Sequence, residues 1–182
     1  MTLQGHILLA APSMLDPNFE RAVVLMVQHN DEGALGLVLN RPTEVSLREA
    51  IAAVSDVDVE VDVELRQGGP CEGPLMVVHR EQDHAQSEVL PGVFFSTEQD
   101  LVEQLMMDDS DSAMYFAGYA GWGPGQLEGE IGSGSWLVTE GSVERVFHLD
   151  HDVWTAMVRD ESKRRLGDSM NPKAVPPDPS VN

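Results

Sequence analysis

The hydrophobic residues of this chain lie in short dense blocks rather than in long helical stripes. Residues 5–11, 22–29 and 34–40 are apolar almost throughout, and the last two blocks enclose the turn formers Asn-Asp-Glu-Gly at 30–33. Two apolar runs around a four-residue turn of this composition predict a β-hairpin. Because neither run alternates between apolar and polar positions, we expect both strands to be covered on both faces, in the centre of a sheet.

The next part of the chain changes its periodicity twice. Residues 46–54 predict a short helix, in which Ser46 and Glu49 have the spacing of a capping box. Residues 57–65 then alternate strictly between Val or Leu and Asp or Glu. This pattern is typical of a half-buried strand with one solvated face, and a loop over the first half of the segment is the alternative.

Apolar runs and turn residues continue to alternate in the second half of the chain. We predict helices at 97–107, with Thr97 as the N-cap, and at 150–166, and a helical turn at 126–131. Strands are predicted at 75–79, 87–95 (interrupted at Pro91-Gly92), 113–117, 135–139 and 142–147. Prolines and polar residues dominate from Gly167 onward, so the expected organisation is one domain over 1–166 and a disordered tail over 167–182.

Composition limits the class of protein. With 182 residues, of which 42% are hydrophobic, the chain can form one domain with a sizeable core. Its single cysteine, Cys71, cannot form an internal disulfide, which favours a reducing, cytoplasmic location. We expect no membrane association, since no apolar run reaches the roughly 18 residues of a spanning helix. The N-terminus also lacks the basic start of a signal peptide.

Charge argues against nucleic acid as a direct partner. The net charge is −20, and no Lys or Arg occurs between Arg80 and Arg145. Proteins that bind DNA take most of their affinity from Lys and Arg side chains that neutralise phosphates. The local basic cluster of this chain consists of Arg159, Lys163, Arg164 and Arg165. The acidity itself is explained by solubility or, as an alternative, by a basic partner.

The most unusual segment is the glycine-rich stretch 118–128, which carries Tyr119 and Trp122. It lacks the Gly-Lys-Ser/Thr of a P-loop and the spacing of a dinucleotide-binding turn. Trp122 is therefore either a core residue beside a tight turn or a platform for a ligand. Arg41 follows a predicted central strand, where its side chain would hold an anion or form a structural ion pair.

The positions of the cysteine and the histidines in the sequence give little support to a catalytic cysteine or to a metal site. Cys71 follows Gly68-Gly69-Pro70, and His79 is its nearest histidine in sequence, but an inert small cysteine is the simpler interpretation. The six histidines lack metal-ligand spacing. The densest group is His148 with Asp150, His151 and Asp152. We therefore predict neither a metal nor a cofactor.

Several segments, in this order, resemble the YqgE/AlgH family, a widespread bacterial family without an established biochemical activity. They are GHILLAAP, SMLDPNF, RAVVLMVQHNDEGALGLVLNRP, QGGPCEGPLMVVHR and GYAGWGPGQLEGEIGSGSW. The resemblance implies one α+β domain, in which a bent mixed or antiparallel β-sheet, partly closed into a small barrel, is surrounded by helices. Some members carry the label of transcriptional regulator, and no catalytic residues are established that could be transferred.

These observations favour a non-enzymatic regulatory or interaction protein, a monomer or weak homo-oligomer, that acts through a protein partner or a small ligand. The alternative is a small-molecule-binding domain or enzyme with a cleft near Arg41, His79 and Trp122, in which Arg41 anchors an anion and His79 or Glu128 moves protons. Direct DNA binding is favoured least. The candidate functional surface comprises Asn40, Arg41, Gly68, Gly69, His79, Tyr119, Trp122, Gln126 and Glu128.

Overall fold

The structure, a computed structural model, describes residues 2–52, 63–107, 113–150 and 152–169. Most of the alternating segment 57–65 and most of the expected tail therefore lie outside the described residues. The helices are α1 (Leu47–Ala52), α2 (Gln99–Met107), α3 (Gln126–Gly132), α4 (Val143–Phe147) and α5 (Val153–Ser169). The strands are β1 (His6–Ala10), β2 (Val23–Asn30), β3 (Gly33–Val38), β4 (Pro42–Ser46), β5 (Glu64–Gln67), β6 (Met76–His79), β7 (Ser87–Leu90), β8 (Val93–Ser96), β9 (Ala113–Ala117), β10 (Ala120–Trp122) and β11 (Trp136–Glu140).

The strands form two sheets, which confirms the predicted α+β class. Sheet A has the order β10-β3-β2-β1-β11 and is antiparallel throughout. Sheet B has the order β4-β5-β9-β6-β8-β7, and its β5–β9 pair is parallel. Both sheets are open at their edges in the described residues, so the barrel implied by the family resemblance is only partly closed.

Strand periodicity divides the core into three layers. Ile7 and Leu25 of sheet A pack with Val78 and Phe116 of sheet B in the largest cluster, which lies between the sheets. The alternate residues of sheet A form a second cluster with α3, and those of sheet B form a third with α1 and α2. Because successive side chains point to opposite faces, the dense apolar runs are buried on both sides, as predicted.

The β2–β3 hairpin contains an irregularity that its sequence does not reveal. Met26 lies opposite Gly36, but Gln28 lies opposite Leu35, so one extra residue is inserted in β2. A bulge of this kind reverses which side chains face which side of the sheet. His29 consequently points to the outer face of sheet A, where it meets α3.

Of the two N-terminal capping signals predicted for α1 and α2, one is confirmed and one is wrong. The capping box is confirmed, since the Ser46 amide donates to the Glu49 carboxylate at 3.0 Å and the Glu49 amide donates to the Ser46 hydroxyl at 3.3 Å. Thr97 is not an N-cap, because α2 begins at Gln99 and the Thr97 hydroxyl donates to the Leu75 carbonyl instead. None of the helices in the described ranges has the length and apolar character needed to cross a membrane.

One strand prediction was wrong, and one strand was not predicted. The segment 142–147 forms α4, with Ser142 as its N-cap, because its apolar residues Val143, Val146 and Phe147 have helical spacing. After β3 the chain enters β4, a strand that was not predicted, which pairs with β5 at the edge of sheet B.

Candidate functional site

Four of the nine candidate residues, Gly68, Gly69, Tyr119 and Trp122, lie where the chain crosses between the two sheets. We call residues 68–71 and 118–122 the crossover. The parallel strands β5 and β9 end side by side, with Gln67 opposite Ala117. The amide of Gly68 then donates to the Ala117 carbonyl at 3.0 Å, while its carbonyl accepts from the Val38 amide of sheet A at 2.8 Å. Gly68 thus joins the two sheets through its backbone.

Glycine at the crossover allows two backbones to touch. Cys71 and Tyr119 exchange amide–carbonyl hydrogen bonds of 2.9 and 3.0 Å. A Cβ atom on Gly68 would collide with the Gly118 carbonyl oxygen, and one on Gly69 would collide with the backbone of Tyr119. Gly118 itself has a φ of +74°, which side chains strongly disfavour. Close packing of backbone on backbone therefore explains why glycine stands at positions 68 and 69, which were predicted as part of the functional surface.

Tyr119 lies at an open cavity of about 380 Å³, which we call the crossover pocket. A Cβ at Gly73 or Gly121 would come within 3.1 Å of opposite edges of its ring, so the two glycines hold the half-buried ring in place. Gln28, Leu35 and Gly121 also line the pocket as cross-strand neighbours in sheet A. The pocket is thus the uncovered end of the face of sheet A that carries Gln28, Leu35 and Gly121.

Trp122 belongs to the core and not to an exposed platform. Its side chain is buried against sheet A, and its indole Nε1 donates to the Glu130 carboxylate at 3.0 Å. The Trp136 indole donates to the same oxygen at 2.8 Å, and Gln126 donates to the other oxygen at 2.9 Å. Three neutral donors therefore hold the Glu130 carboxylate in place. The sequence analysis did not include Glu130 among the candidate residues.

Glu128 is paired with His29, a residue that sequence reasoning missed. The distance from His29 Nε2 to the Glu128 carboxylate is 2.8 Å, and the Leu3 amide donates to His29 Nδ1 at 2.9 Å. Because Nδ1 accepts, the ring proton is on Nε2 and is donated to Glu128. The pKa of Glu128 is lowered, first by a hydrogen bond from its own amide and then by the bond from His29.

Both nitrogens of the His29 ring are engaged, so the ring holds α3 and the N-terminal segment together. No sequence signal identified it, since its direction depends on the bulge in β2.

Asn40 and Arg41 fasten the loop that precedes β2. The Asn40 amide donates to the Arg21 carbonyl and accepts from the Val23 amide, both at 2.9 Å. The Arg41 guanidinium donates to the carbonyls of Glu20 at 2.8 Å and Pro17 at 3.3 Å. Two of its donor groups are thus used within the chain, which leaves fewer for an anion.

His79 is remote from the crossover. It lies opposite Ala113, at the start of β9, while Gly118 follows the end of that strand. The first and last residues of β9, Ala113 and Ala117, are four residue steps apart, which corresponds to about 13 Å along a strand. His79 is fully buried, and its Nε2 lies 3.0 Å from the Ser96 hydroxyl, which in turn donates to the His84 carbonyl at 2.6 Å. Burial lowers the pKa of His79 to about 4.

A serine and a histidine in contact suggest a nucleophile and its base, but both side chains are closed to solvent here. This pair therefore has no access for a substrate.

The geometry of the described residues favours neither a metal site nor a site for a polyanion. In the described ranges, no three His, Cys, Asp or Glu side chains are grouped so as to hold a metal ion. On α5, Glu161 is buried and accepts from Arg164 and Arg165, each at 2.8 Å. The pKa of Glu161 is lowered, chiefly by Arg164. Half of the basic cluster is thus already paired.

Known proteins share both the sequence and the fold. A UPF0301 protein of Chlorobaculum tepidum is 38% identical over 162 residues, which cover 85% of this chain and 84% of that protein. A UPF0301 protein of Streptomyces coelicolor is 37% identical over 192 residues, with 100% of this chain and 96% of that protein covered.

The solution structure of the AlgH protein from Pseudomonas aeruginosa superposes with a TM-score of 0.75 at 29% identity, over 94% of this chain and 95% of that one. The crystal structure of a Corynebacterium diphtheriae protein gives 0.68 at 27% identity, over 86% and 85%. The AlgH-like family model matches residues 7–164. Since the match includes both sheets, the crossover and most of α5, the chain belongs to the AlgH-like family.

Proposed function

We propose that this protein is a non-catalytic interaction protein that receives part of a protein partner in the crossover pocket. The observation that carries the proposal is a contrast among the candidate residues. Their reactive side chains are used in hydrogen bonds within the chain, whereas Tyr119 lines an open cavity of about 380 Å³. This volume lies in the lower part of the range of about 300–1,000 Å³ that is typical of ligand pockets.

Catalysis is disfavoured because, among the candidate side chains that the structure describes, no nucleophile meets an available base. His29 uses both ring nitrogens, and His79 is buried at the far end of β9. The thiol of Cys71 reaches the crossover pocket, but a thiolate forms readily only beside a cation or a base. Among the described residues that line this pocket, there is no Lys, Arg or His.

Direct binding of nucleic acid is also disfavoured. The net charge is −20, and Arg164 and Arg165 of the basic cluster are paired with Glu161. A duplex would therefore be repelled by most of the surface and would meet few unpaired cations. If family members act in transcriptional control, as their label suggests, a protein contact is the better route for this chain.

A site-specific crosslinking experiment in the native bacterium tests the proposal. A photoreactive amino acid replaces Gln28 inside the crossover pocket or, as a control, exposed Glu44 on β4. We expect a discrete crosslinked protein from position 28, and its loss when Tyr119→Ala removes the ring that lines the pocket. Equal adducts from both positions, or no adduct from position 28, would contradict the proposal.

A further inference from the structure

We infer that the partner segment received by the crossover pocket is basic and inserts an arginine side chain. This inference deepens the proposed function and rests on it. It depends on the charge and the chemical character of the pocket lining.

Negative charge surrounds the tip of the β2–β3 hairpin. Glu32 and Asn30 line the crossover pocket. Asn30 also lines a second cavity of about 410 Å³, together with Asp31 and Glu128. The pKa of Glu128 is lowered, so this carboxylate stays ionised. Neither lining contains a Lys or Arg among the described residues, which makes the surface complementary to a cation.

The crossover pocket also contains the groups that select a guanidinium. Tyr119 supplies an aromatic ring, Glu32 supplies a carboxylate, and Gln28 supplies an amide. Arginine stacks on aromatic rings and pairs with carboxylates through a planar fork, and it gives up its hydration more easily than lysine. An uncovered sheet end with this lining therefore suits arginine better than lysine or a neutral residue.

The charge also excludes other occupants. An anionic segment would meet Glu32 and Asp31 without a compensating cation in either lining. A second copy of the chain is a further possible occupant, because α5 presents Arg159 and Lys163. That occupant would produce self-association, which the experiment measures directly.

The test is an NMR titration of the ¹⁵N-labelled full chain with a blocked Gly-Arg-Gly-Arg-Gly peptide. A peptide with citrulline in place of arginine has nearly the same shape without the charge, and a lysine peptide has the charge without the fork. We expect the arginine peptide to shift the amide signals of Asn30, Gly33 and Gly121. The citrulline peptide should leave them unchanged, and the lysine peptide should bind several-fold more weakly.

Two variants with the same change of charge complete the design. Glu32→Gln should weaken binding of the arginine peptide about tenfold, whereas Glu44→Gln on sheet B should change it less than twofold. Equal weakening by both variants, binding of the citrulline peptide, or shifts confined to other surfaces would overturn the inference. So would a dimer in sedimentation that is abolished by reversing the charge of Arg159 and Lys163.

The outcomes for the two proposals are separable. If position 28 crosslinks a partner but the arginine peptide does not bind, the interaction function stands and the basic character of the segment is refuted. If the peptide binds in the pocket but no partner is crosslinked there, the chemistry of the pocket stands and the proposed function fails.

Discussion

The crossover and helix α3 adjoin each other in sequence and both contain many glycines, yet they are held together in different ways. At the crossover, backbone packs on backbone, and a Cβ on Gly69 would collide with Tyr119. In α3, Gly129 and Gly132 have open space where a side chain would go. Side chains hold this helix instead, through Glu128 and Glu130. Packing therefore requires the glycine at position 69 of the crossover, but it does not require Gly129 and Gly132 of α3.

The largest effect should come from adding one methyl group at the crossover. Gly69→Ala forces a backbone clash, and we expect it to cost more than about 3 kcal/mol of unfolding free energy. Gly129→Ala adds the same atom in open space inside a helix and should be neutral or stabilise by up to about 1 kcal/mol. Urea unfolding followed by circular dichroism measures both. Similar losses in the two variants would remove the distinction between the regions.

Acid should have the next largest effect, and it should act outside both regions, at the buried side chain of His79. His79 in sheet B has a pKa of about 4, and an unfolded histidine titrates near 6.5. The unfolded chain therefore binds more protons between these values. The stability that comes from a neutral His79 is complete above about pH 6.5 and is lost as the pH falls toward 4.

At pH 4.5 this loss should amount to roughly 2 to 3 kcal/mol. Unfolding of the wild type and of His79→Leu at pH 7 and pH 4.5 isolates it, because the carboxylates are common to both proteins. The variant should lose less stability on acidification by that amount. Parallel losses would show that His79 is not the group responsible.

A smaller effect is expected from the carboxylate that anchors α3. Glu130→Leu leaves the indole donors of Trp122 and Trp136 without their acceptor, and should cost about 2 kcal/mol. Glu130→Gln retains an amide oxygen and should recover part of this loss. Tryptophan fluorescence during urea unfolding reports the change, since both indoles lie in sheet A. An unchanged midpoint in Glu130→Leu would mean that apolar packing alone holds α3.

The smallest effect should follow from Glu128→Ala, which removes the acceptor of the His29 Nε2 proton. The Glu128 carboxylate is largely exposed, and exposed ion pairs contribute little to stability. The loss should be smaller than that of Glu130→Leu, but the N-terminal segment should loosen, because His29 also accepts from the Leu3 amide. Hydrogen exchange at Leu3 should therefore accelerate while exchange at Leu25 stays unchanged. Equal protection of Leu3 in both proteins would contradict the coupling.

Local patterns predicted most of the individual elements and few of their connections. The double-sided burial of β2 and β3 and the capping box at Ser46 follow from neighbouring residues alone. The helix at 143–147 was mistaken for a strand because five residues with three apolar positions fit either period. The bulge in β2 depends on the partner strand, so the direction of His29 could not be predicted.

The candidate site was predicted as a set of motif positions, without the geometry that separates them. Tyr119 and the Gly68-Gly69 turn do meet, at the crossover. His79 lies at the other end of β9, and Arg41 is bound to the carbonyls of a distant loop. Contacts of this kind join residues far apart in sequence, such as His29 and Glu128, and no local pattern encodes them.

The pairing of β1 with β11 has a consequence for the order in which the chain folds. His6 lies opposite Glu140, so the first strand acquires its outer neighbour only after almost the whole domain has been synthesised. At 5–20 residues per second, the ribosome needs roughly 5 to 20 s to extend the chain from β3 to the end of β11. During that interval the β1–β3 meander exposes apolar side chains on both faces. The nascent protein thus depends on late residues to protect its earliest ones, and slow, chaperone-sensitive folding is the expected result.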